Sequence, residues 1–502
     1  MPDFQSLYAQ LFEKLGEIYD IRHALAVLHW DQEVCMPPKG AHARGLQLAT
    51  LAGLEHRLFT DTEMRLLVDG LRDRTEDFSP EQVALIRETA HDLDRAIKIP
   101  ESLVRLFAEA QSRAYEEWVE ARRDSDFKRF QPHLKTMADL SREKAEFLGY
   151  EESPYDALLD EYERGMTASK LRPIFDALAS RQSALVAQVA DSPHQPDVSW
   201  LDQEWNGQTQ MRFCEEVLRD MGYDFGAGRQ DISVHPFTTT FDVQDVRITT
   251  RVNPRDFLSA LSSSIHEGGH ALYEQGLPAD FRRTPLADAP SLGMHESQSR
   301  LWENIIGRSH AFFRRYLPRL QELFPGQLDQ TTSADLYRAA NRVAPSLIRV
   351  DADECTYNLH VIVRFEVETA LIEGSIRAEH VPELWNAKMK VYLGVDVPDD
   401  AHGCLQDIHW AHGSFGYFPT YALGNLYSAQ LMEQARRDIP DFWKNVEQGE
   451  FSELLAWLRD RVHRHGRTKN AAEIIESVTG HPPSPEPFLR YLEEKYAVLY
   501  PA

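Results

Sequence analysis

His266, Glu267 and His270 form an H-E-x-x-H run inside Ser264-Ile265-His266-Glu267-Gly268-Gly269-His270. On a helix, residues four apart share a face with Cβ atoms about 5–6 Å from each other. His266 and His270 can then both reach one tetrahedral Zn²⁺. Glu267 is rotated off that line and can address a water beside the ion rather than the ion itself. The chemistry this suggests is metal-assisted hydrolysis with a carboxylate base. A chain with 20 His can carry such a run by chance, so its flanks matter. Asn253-Pro254 reads as an N-cap and first helical residue, Asp256 as a first-turn acid and Gly276 as a stop. These signals predict a helix over about 254–275. Gly268 and Gly269 inside it each cost about 1 kcal/mol relative to Ala. Either something approaches this backbone closely or another helix crosses it tightly.

Two imidazoles leave a catalytic zinc one protein ligand short. Glu296 is the best downstream candidate, 26 residues beyond His270. The gap has room for a helix end, a loop with Pro278, Pro285 and Pro290, and the start of a second helix. A third His six residues after His270 is absent, since position 276 is Gly, and this favours a carboxylate. His295 and Glu303 are rivals. At helical pitch His295 points to another face, and Glu303 lies about 10 Å further along at 1.5 Å per residue.

The elements that must position these side chains read mostly as helices, with apolar periodicity at 80–98, 102–123, 168–190, 354–374 and 452–463. The exception is 232–252, rich in Thr, Val, Ile and Phe and alternating at Val246, Ile248, Thr250 and Val252. It predicts a small antiparallel sheet turning near Gln244-Asp245. Its edge could hydrogen-bond an extended peptide, or the ribbon could merely cover the core. The clearest loop, Asp191-Ser192-Pro193-His194-Gln195-Pro196-Asp197, divides the chain into two lobes. An N-terminal helical part spans about 1–195, and about 196–502 carries the sheet and the metal site, both within one catalytic domain of 1–502.

The chain has 502 residues, 79 acids against 54 bases and a net charge of −25. That balance argues against binding phosphate backbones, hence against nucleic acid. No run of 18 apolar residues suggests a membrane span, and Met1-Pro2-Asp3-Phe4-Gln5 does not read as a secretory leader. Cys35, Cys214, Cys355 and Cys404 are far apart and form no C-x-x-C. They read as reduced cysteines of a cytoplasmic protein, which leaves metal binding to His and carboxylate.

Further runs carry a resemblance. They are His235-Pro236-Phe237, Asp245-Val246-Arg247-Ile248-Thr249, His266-Glu267-Gly268-Gly269-His270 and His295-Glu296-Ser297, then Ile348-Arg349-Val350-Asp351-Ala352-Asp353 and Gly403-Cys404-Leu405-Gln406-Asp407-Ile408-His409-Trp410. With Phe415-Gly416-Tyr417-Phe418-Pro419-Thr420-Tyr421 and the early Trp30-Asp31 and Met36-Pro37, they span nearly the whole chain. In this order they resemble the carboxypeptidase Taq family of zinc-dependent metallocarboxypeptidases. The resemblance implies a mainly α, multi-helix, neurolysin-like peptidase fold with a deep groove and one small antiparallel sheet near the metal. It implies one Zn²⁺ per chain on His266, His270 and Glu296, with Co²⁺ as a substitute, and a homodimer. It also implies removal of single residues from peptides with a free C-terminus, with broad side-chain preference.

By the same likeness Glu267 is the general base, and Tyr421, with Tyr417 as rival, is the donor to the oxyanion. His409 donates to substrate or is a satisfied core histidine. A free α-carboxylate calls for an Arg fork. Arg349 in Ile348-Arg349-x-x-Ala352-Asp353 comes first and Arg247 second, against the alternative of an Arg simply paired to Asp351, Asp353 or another acid. Asp245, Asp353, Asp407 and His235 are candidates for orienting ligands or Arg. A zinc oligopeptidase cutting internal bonds would share the metal site without the clamp. A non-catalytic helical binding protein would need none of it.

Overall fold

Asp256 starts the helix that carries the H-E-x-x-H run. Its side chain accepts the Ser259 amide, and the helix runs Phe257–Glu274. The expected start at Asn253-Pro254 is therefore corrected. The Asn253 side chain accepts the Arg255 amide in a short turn, and the Pro254 carbonyl is taken by the Trp205 amide. Both hold this stretch outside the helix. The helix ends where expected, with Gln275 as its cap and Gly276 directly after it, though Gly276 does not take a positive φ. Position 276 must be Gly because a Cβ there would lie 2.2 Å from His463 Nδ1.

The computed structural model describes residues 4–501. Met1, Pro2 and Asp3, on which part of the leader argument rests, lie outside the described residues. Helices α1 Phe4–Val34, α2 Ala41–Thr60, α3 Thr62–Leu71 and α4 Pro80–Lys98 come first. Next are α5 Glu101–Asp124, α6 Phe127–Leu148, α7 Pro154–Leu159, α8 Ala168–Ala190 and α9 Gly207–Met221. Strands β1 Gly228–Ile232, β2 Thr238–Asp242 and β3 Asp245–Thr250 then lead into α10 Phe257–Glu274 and α11 Leu292–Arg300. A π-helical stretch, Leu301–Gly307, continues α11 directly. The rest is α12 His310–Leu323, α13 Ser333–Ala340, α14 Tyr357–Ile372, α15 Val381–Leu393 and α16 Pro419–Asp438, then α17 Phe442–Gln448, α18 Ser452–Arg461, α19 Ala471–Thr479 and α20 Glu486–Leu499. The periodic segments fold as helices close to their expected limits: 80–98 is α4 and 168–190 is α8. Among the described residues, no helix is long and apolar enough to cross a membrane.

The sheet differs from the expected antiparallel ribbon. Its order is β1-β3-β2, with β2 antiparallel to β3 but β1 parallel to it. The turn between β2 and β3 falls where expected. The sequence pattern did not reveal β1, Gly-Arg-Gln-Asp-Ile, because it lacks the alternation that marks a half-buried strand. After it the chain doubles back through Pro236, so that β3 inserts between β1 and β2.

Buried apolar residues form two groups. The larger extends from Ala114 to Tyr500 and includes Trp205, Trp302 and Trp385. The smaller joins α1, α3 and α4 to Leu286. Leu286 belongs to the segment between α10 and α11, so the connection between those two helices is anchored in the N-terminal core. The paired glycines of α10 serve helix crossings. A Cβ on Gly268 would lie 2.4 Å from Leu218 Cδ2 of α9, and one on Gly269 would lie 2.7 Å from Ser299 Cα of α11.

α11 begins at Ser291, whose side chain caps the Met294 amide. Just after α7, the buried Glu163 accepts the Gly293 amide at 3.1 Å and the Tyr427 hydroxyl at 2.9 Å. Burial lifts its carboxyl to about 7 while Ser291, Tyr427 and the Gly293 amide pull it back. A carboxyl raised in the folded state stabilises that state when protonated. Its contribution is complete below about pH 4.5 and lost as pH rises through about 7. The rise from 4.5 to about 7 corresponds to roughly 3 kcal/mol. Glu163→Gln is neutral throughout. In urea unfolding, the stability of wild type relative to E163Q should therefore fall by roughly that amount between about pH 5 and pH 8. A difference independent of pH would contradict this account.

Candidate metal centre and the side chains around it

α10 and α11 bring His266, His270 and Glu296 together, with one ligand atom of each within 4.8 Å of the others. Glu296 Oε2 lies 3.7 Å from His266 Nε2 and 3.5 Å from His270 Nε2. Ligands 2.0–2.2 Å from one ion at tetrahedral angles would stand about 3.4 Å apart, so the donor set fits Zn²⁺.

The other ring nitrogens are held in place. His266 Nδ1 lies 2.8 Å from Glu303 Oε2 and so carries the proton, leaving Nε2 as the free lone pair. His270 Nδ1 lies 2.5 Å from His295 Nδ1, and His295 Nε2 lies 2.7 Å from Glu274 Oε1. A neutral His295 must donate from Nε2 to the carboxylate, so its Nδ1 accepts and His270 donates. This again leaves Nε2 of His270 for a metal. Burial, reinforced by His295, pushes His270 down to about 3, which keeps the ring neutral as ligation requires. Burial alone would also lower His266, but Glu296 and Glu303 outweigh it and raise the ring.

His295 thus stays out of the ligand cluster, as helical pitch suggested, but it backs His270 from behind. α11 crosses α10 so closely at Gly269 that the His295 ring lies 4.4 Å from that of His270, tilted by 31°. Glu303, seven residues beyond Glu296, reaches the far nitrogen of His266 from the π-helical stretch, a helix form that recurs at functional sites. Between them Arg300 donates to Glu296 Oε1 at 2.7 Å and lies 3.4 Å from Glu303. Burial works against ionised Glu296, but Arg300 and the two imidazoles hold it well below the ordinary carboxylate range. No sequence pattern marked Glu303, His295 or Glu274 as partners of the imidazoles.

Glu267 is buried, and burial raises its carboxyl above the ordinary value. Thr238 of β2 donates to its Oε2 at 2.7 Å. The sheet thus contributes a hydroxyl to the site, which the strand pattern alone did not reveal.

Tyr421 lies in the first turn of α16 rather than in a loop, because Pro419 at the helix start nucleates it. Tyr417 remains in the preceding turn, its ring 5.3 Å from that of Tyr421. His409 Nε2 is 3.5 Å from the Tyr421 hydroxyl, the outer limit of a hydrogen bond, and His409 Nδ1 is buried without a partner. Burial pushes His409 down to about 3, so it is neutral. Arg349 is buried against Asp407, to which its Nε and one terminal nitrogen donate, while the other terminal nitrogen reaches the Tyr357 hydroxyl. Its guanidinium stands 4.8 Å from the Tyr421 ring centre. Arg364 is bound to the same Asp407, so two guanidiniums share one carboxylate.

Arg247 is placed differently. It forms a fork on Asp245 at 2.8 and 2.9 Å and lies between the rings of Trp30 and Phe241. Asp353 caps the approach to α14 by accepting the Cys355 and Thr356 amides. His235 is exposed. The partner of Arg349 is Asp407, not Asp351 or Asp353.

The profile of the carboxypeptidase Taq (M32) metallopeptidase family matches residues 10–496. The chain is 42% identical to thermostable carboxypeptidase 1 of Thermus thermophilus, covering 99% of each. It is 39% identical to carboxypeptidase 1 of Bacillus subtilis, covering 98% of each. A crystal structure of the carboxypeptidase of that family from Deinococcus radiodurans superposes with a TM-score of 0.97 at 41% identity, over 99% of this chain and all of that one.

Gly424 of α16 presses on the third member of the cluster. A Cβ there would stand 2.5 Å from Glu296 Cγ and 2.7 Å from its Cβ. Overpacking of this kind typically costs about 1–3 kcal/mol and shifts the neighbour. Gly424→Ala should weaken Zn²⁺ binding by roughly tenfold or more while the helical circular dichroism is kept. Metal titration of the folded variant checks this, and unchanged affinity would refute it.

Proposed function

The chain belongs to the carboxypeptidase Taq family of metallopeptidases, and from that premise we propose that it removes single residues from the free C-terminus of peptides, using Zn²⁺ held by His266, His270 and Glu296. The observation that carries the reading is the placement of Glu296 Oε2 within 3.7 Å of both free imidazole nitrogens. Family membership also supports one Zn²⁺ per chain with Co²⁺ as a substitute, broad side-chain preference, a homodimer and a single catalytic unit over the whole chain. The scattered cysteines, all free, support a cytoplasmic setting.

Bound Zn²⁺ supplies Lewis acidity and makes water reactive near neutral pH. Glu267 takes the proton of the attacking water onto its carboxylate and delivers it to the departing amine. Burial suits it to the task, because a raised carboxyl is the stronger base. Thr238 fixes its free oxygen so that the other one faces the reaction. Tyr421, with Tyr417 beside it, donates its hydroxyl to the oxyanion that forms at the scissile carbonyl. Neutral His409 supplies an N–H to the substrate from the same side.

The α-carboxylate is held by Arg349. Only three of its five N–H groups are used by Asp407 and Tyr357, which leaves two for a ligand. Arg247 is the weaker choice, because its fork is already filled by Asp245.

The decisive experiment compares free-acid and amidated forms of one peptide, with and without chelator. The free acid should be shortened stepwise from its C-terminus and the amide spared, with chelator abolishing activity. Equal cleavage of both forms would favour an oligopeptidase. Arg349→Ala should raise KM by about 10²-fold on free acids, the loss of a charge-assisted fork. Glu267→Gln should lower kcat by about 10²–10⁴-fold with metal content unchanged. An unchanged KM in R349A, or an unchanged kcat in E267Q, would remove that residue from the mechanism.

A further inference from the structure

Glu368 of α14 is fully buried, and among the described residues it forms no ion pair. Three donors converge on its two oxygens. Trp410 Nε1 donates to Oε1 at 2.9 Å, while the Tyr155 hydroxyl and the Gly416 amide donate to Oε2 at 2.8 and 3.1 Å. Trp410 follows His409, and Gly416 precedes Tyr417. The carboxylate therefore grips both ends of the turn that carries the imidazole and the tyrosines. At Gly416 the chain takes φ +90°, and a Cβ there would stand 2.8 Å from the Leu159 nitrogen, so the turn is pressed against the end of α7. Asp407, tied to Arg349 and Arg364, fixes only the start of the same segment.

The chemistry asks for a carboxylate and not merely a polar group. The Trp410 and Gly416 N–H groups can only donate. A Gln of the same size would turn its own NH₂ toward at least one donor and release it. Burial pushes Glu368 up to about 7 against the pull of its donors, so retaining an acid here works against solvation.

We propose that Glu368 is a positioning residue for the hydrolysis: by clamping Trp410 and Gly416 it holds His409, Tyr417 and Tyr421 toward the cluster of His266, His270 and Glu296. This rests on the reading of the tyrosine turn under the proposed function.

Glu368→Gln tests it on a free-acid peptide with Zn²⁺-loaded enzyme. Loss of the clamp should lower kcat by about tenfold or more with KM within about threefold, since the groups lost act on the transition state and Arg349 is untouched. Metal content should stay at the wild-type level, and hydrogen exchange should quicken over 405–421 without quickening in α10 or α11. A folded, fully metallated E368Q with kcat within about twofold of wild type overturns the proposal. So does a loss of kcat that merely follows loss of metal. Should E368Q not fold, Trp410→Phe removes one of the clamped donors and is read by the same measurements, with wild-type kcat again overturning the proposal. Tyr421→Phe is measured alongside. An inactive Y421F with an active E368Q sinks the clamp alone, whereas an active Y421F sinks the reading of the tyrosine itself.

Discussion

Three helices approach one another at points where no side chain fits. α10 meets α11 at Gly269, with Ser299 Cα 2.7 Å from where a Cβ would lie. α11 meets α16 at Gly424, which faces the Cβ and Cγ of Glu296. α11 is thus held from both sides with its backbone in a fixed register. The separation between Glu296 and the imidazoles is then set by packed main chain rather than by side-chain rotamers, which are softer. Close-packed interiors resist small displacements, and a ligand set must be held within about 0.5 Å of working geometry. Glycine weakens an isolated helix by about 1 kcal/mol, and here that loss is tied to a contact no larger residue permits.

Charge finishes what packing begins. Beside the metal cluster, buried acids are paired with buried cations. Glu296, Arg300, Glu303 and Arg308 alternate in sign along α11 and the π-helical stretch. Buried ion pairs add little net stability, since desolvation offsets attraction. Their effect here is orientation: Arg300 takes Oε1 of Glu296 and leaves Oε2 facing the imidazoles, while Glu303 fixes the proton of His266 on Nδ1. Asp407 does the same in reverse, holding two guanidiniums with one carboxylate so that Arg349 stays beside Tyr421 with N–H groups to spare.

What the sequence made legible was whatever depends on neighbours along the chain. The helix of the H-E-x-x-H run follows from local spacing, and the β2–β3 turn from composition. Glu296 follows from its gap after His270 together with the family likeness. What stayed hidden depends on helices meeting. His295 lies off the ligand face, as pitch suggested, but its contact with the back of His270 could not be read because pitch within α11 says nothing of where α10 lies. Glu303 stays out of the ligand cluster, as its place along the helix suggested, but its hold on the far nitrogen of His266 depends on where α10 lies. Strand β1 has no alternation to detect, and the helix began at Asp256 because a distant amide, that of Trp205, claims the Pro254 carbonyl. Thr238 and Glu368 reach the site through hydrogen bonds between elements far apart in sequence, and no periodicity encodes those.

Glu163 and Glu368 share one physical role at two entrances to the site. Each is a buried acid without a cation partner among the described residues, each accepts one main-chain amide and one tyrosine hydroxyl, and each is raised by burial to about 7. The amides belong to Gly293, in the first turn of α11, and to Gly416, in the turn before α16. Such amides have no partner within a helix and must find an acceptor or remain unsatisfied. A carbonyl or a hydroxyl could accept one of them. Only a carboxylate offers two oxygens and no donor of its own, so it can take an amide and a side-chain donor together without turning a proton toward either. The desolvation each acid suffers is thus coupled to a geometric demand made by the chain on both sides of the metal cluster.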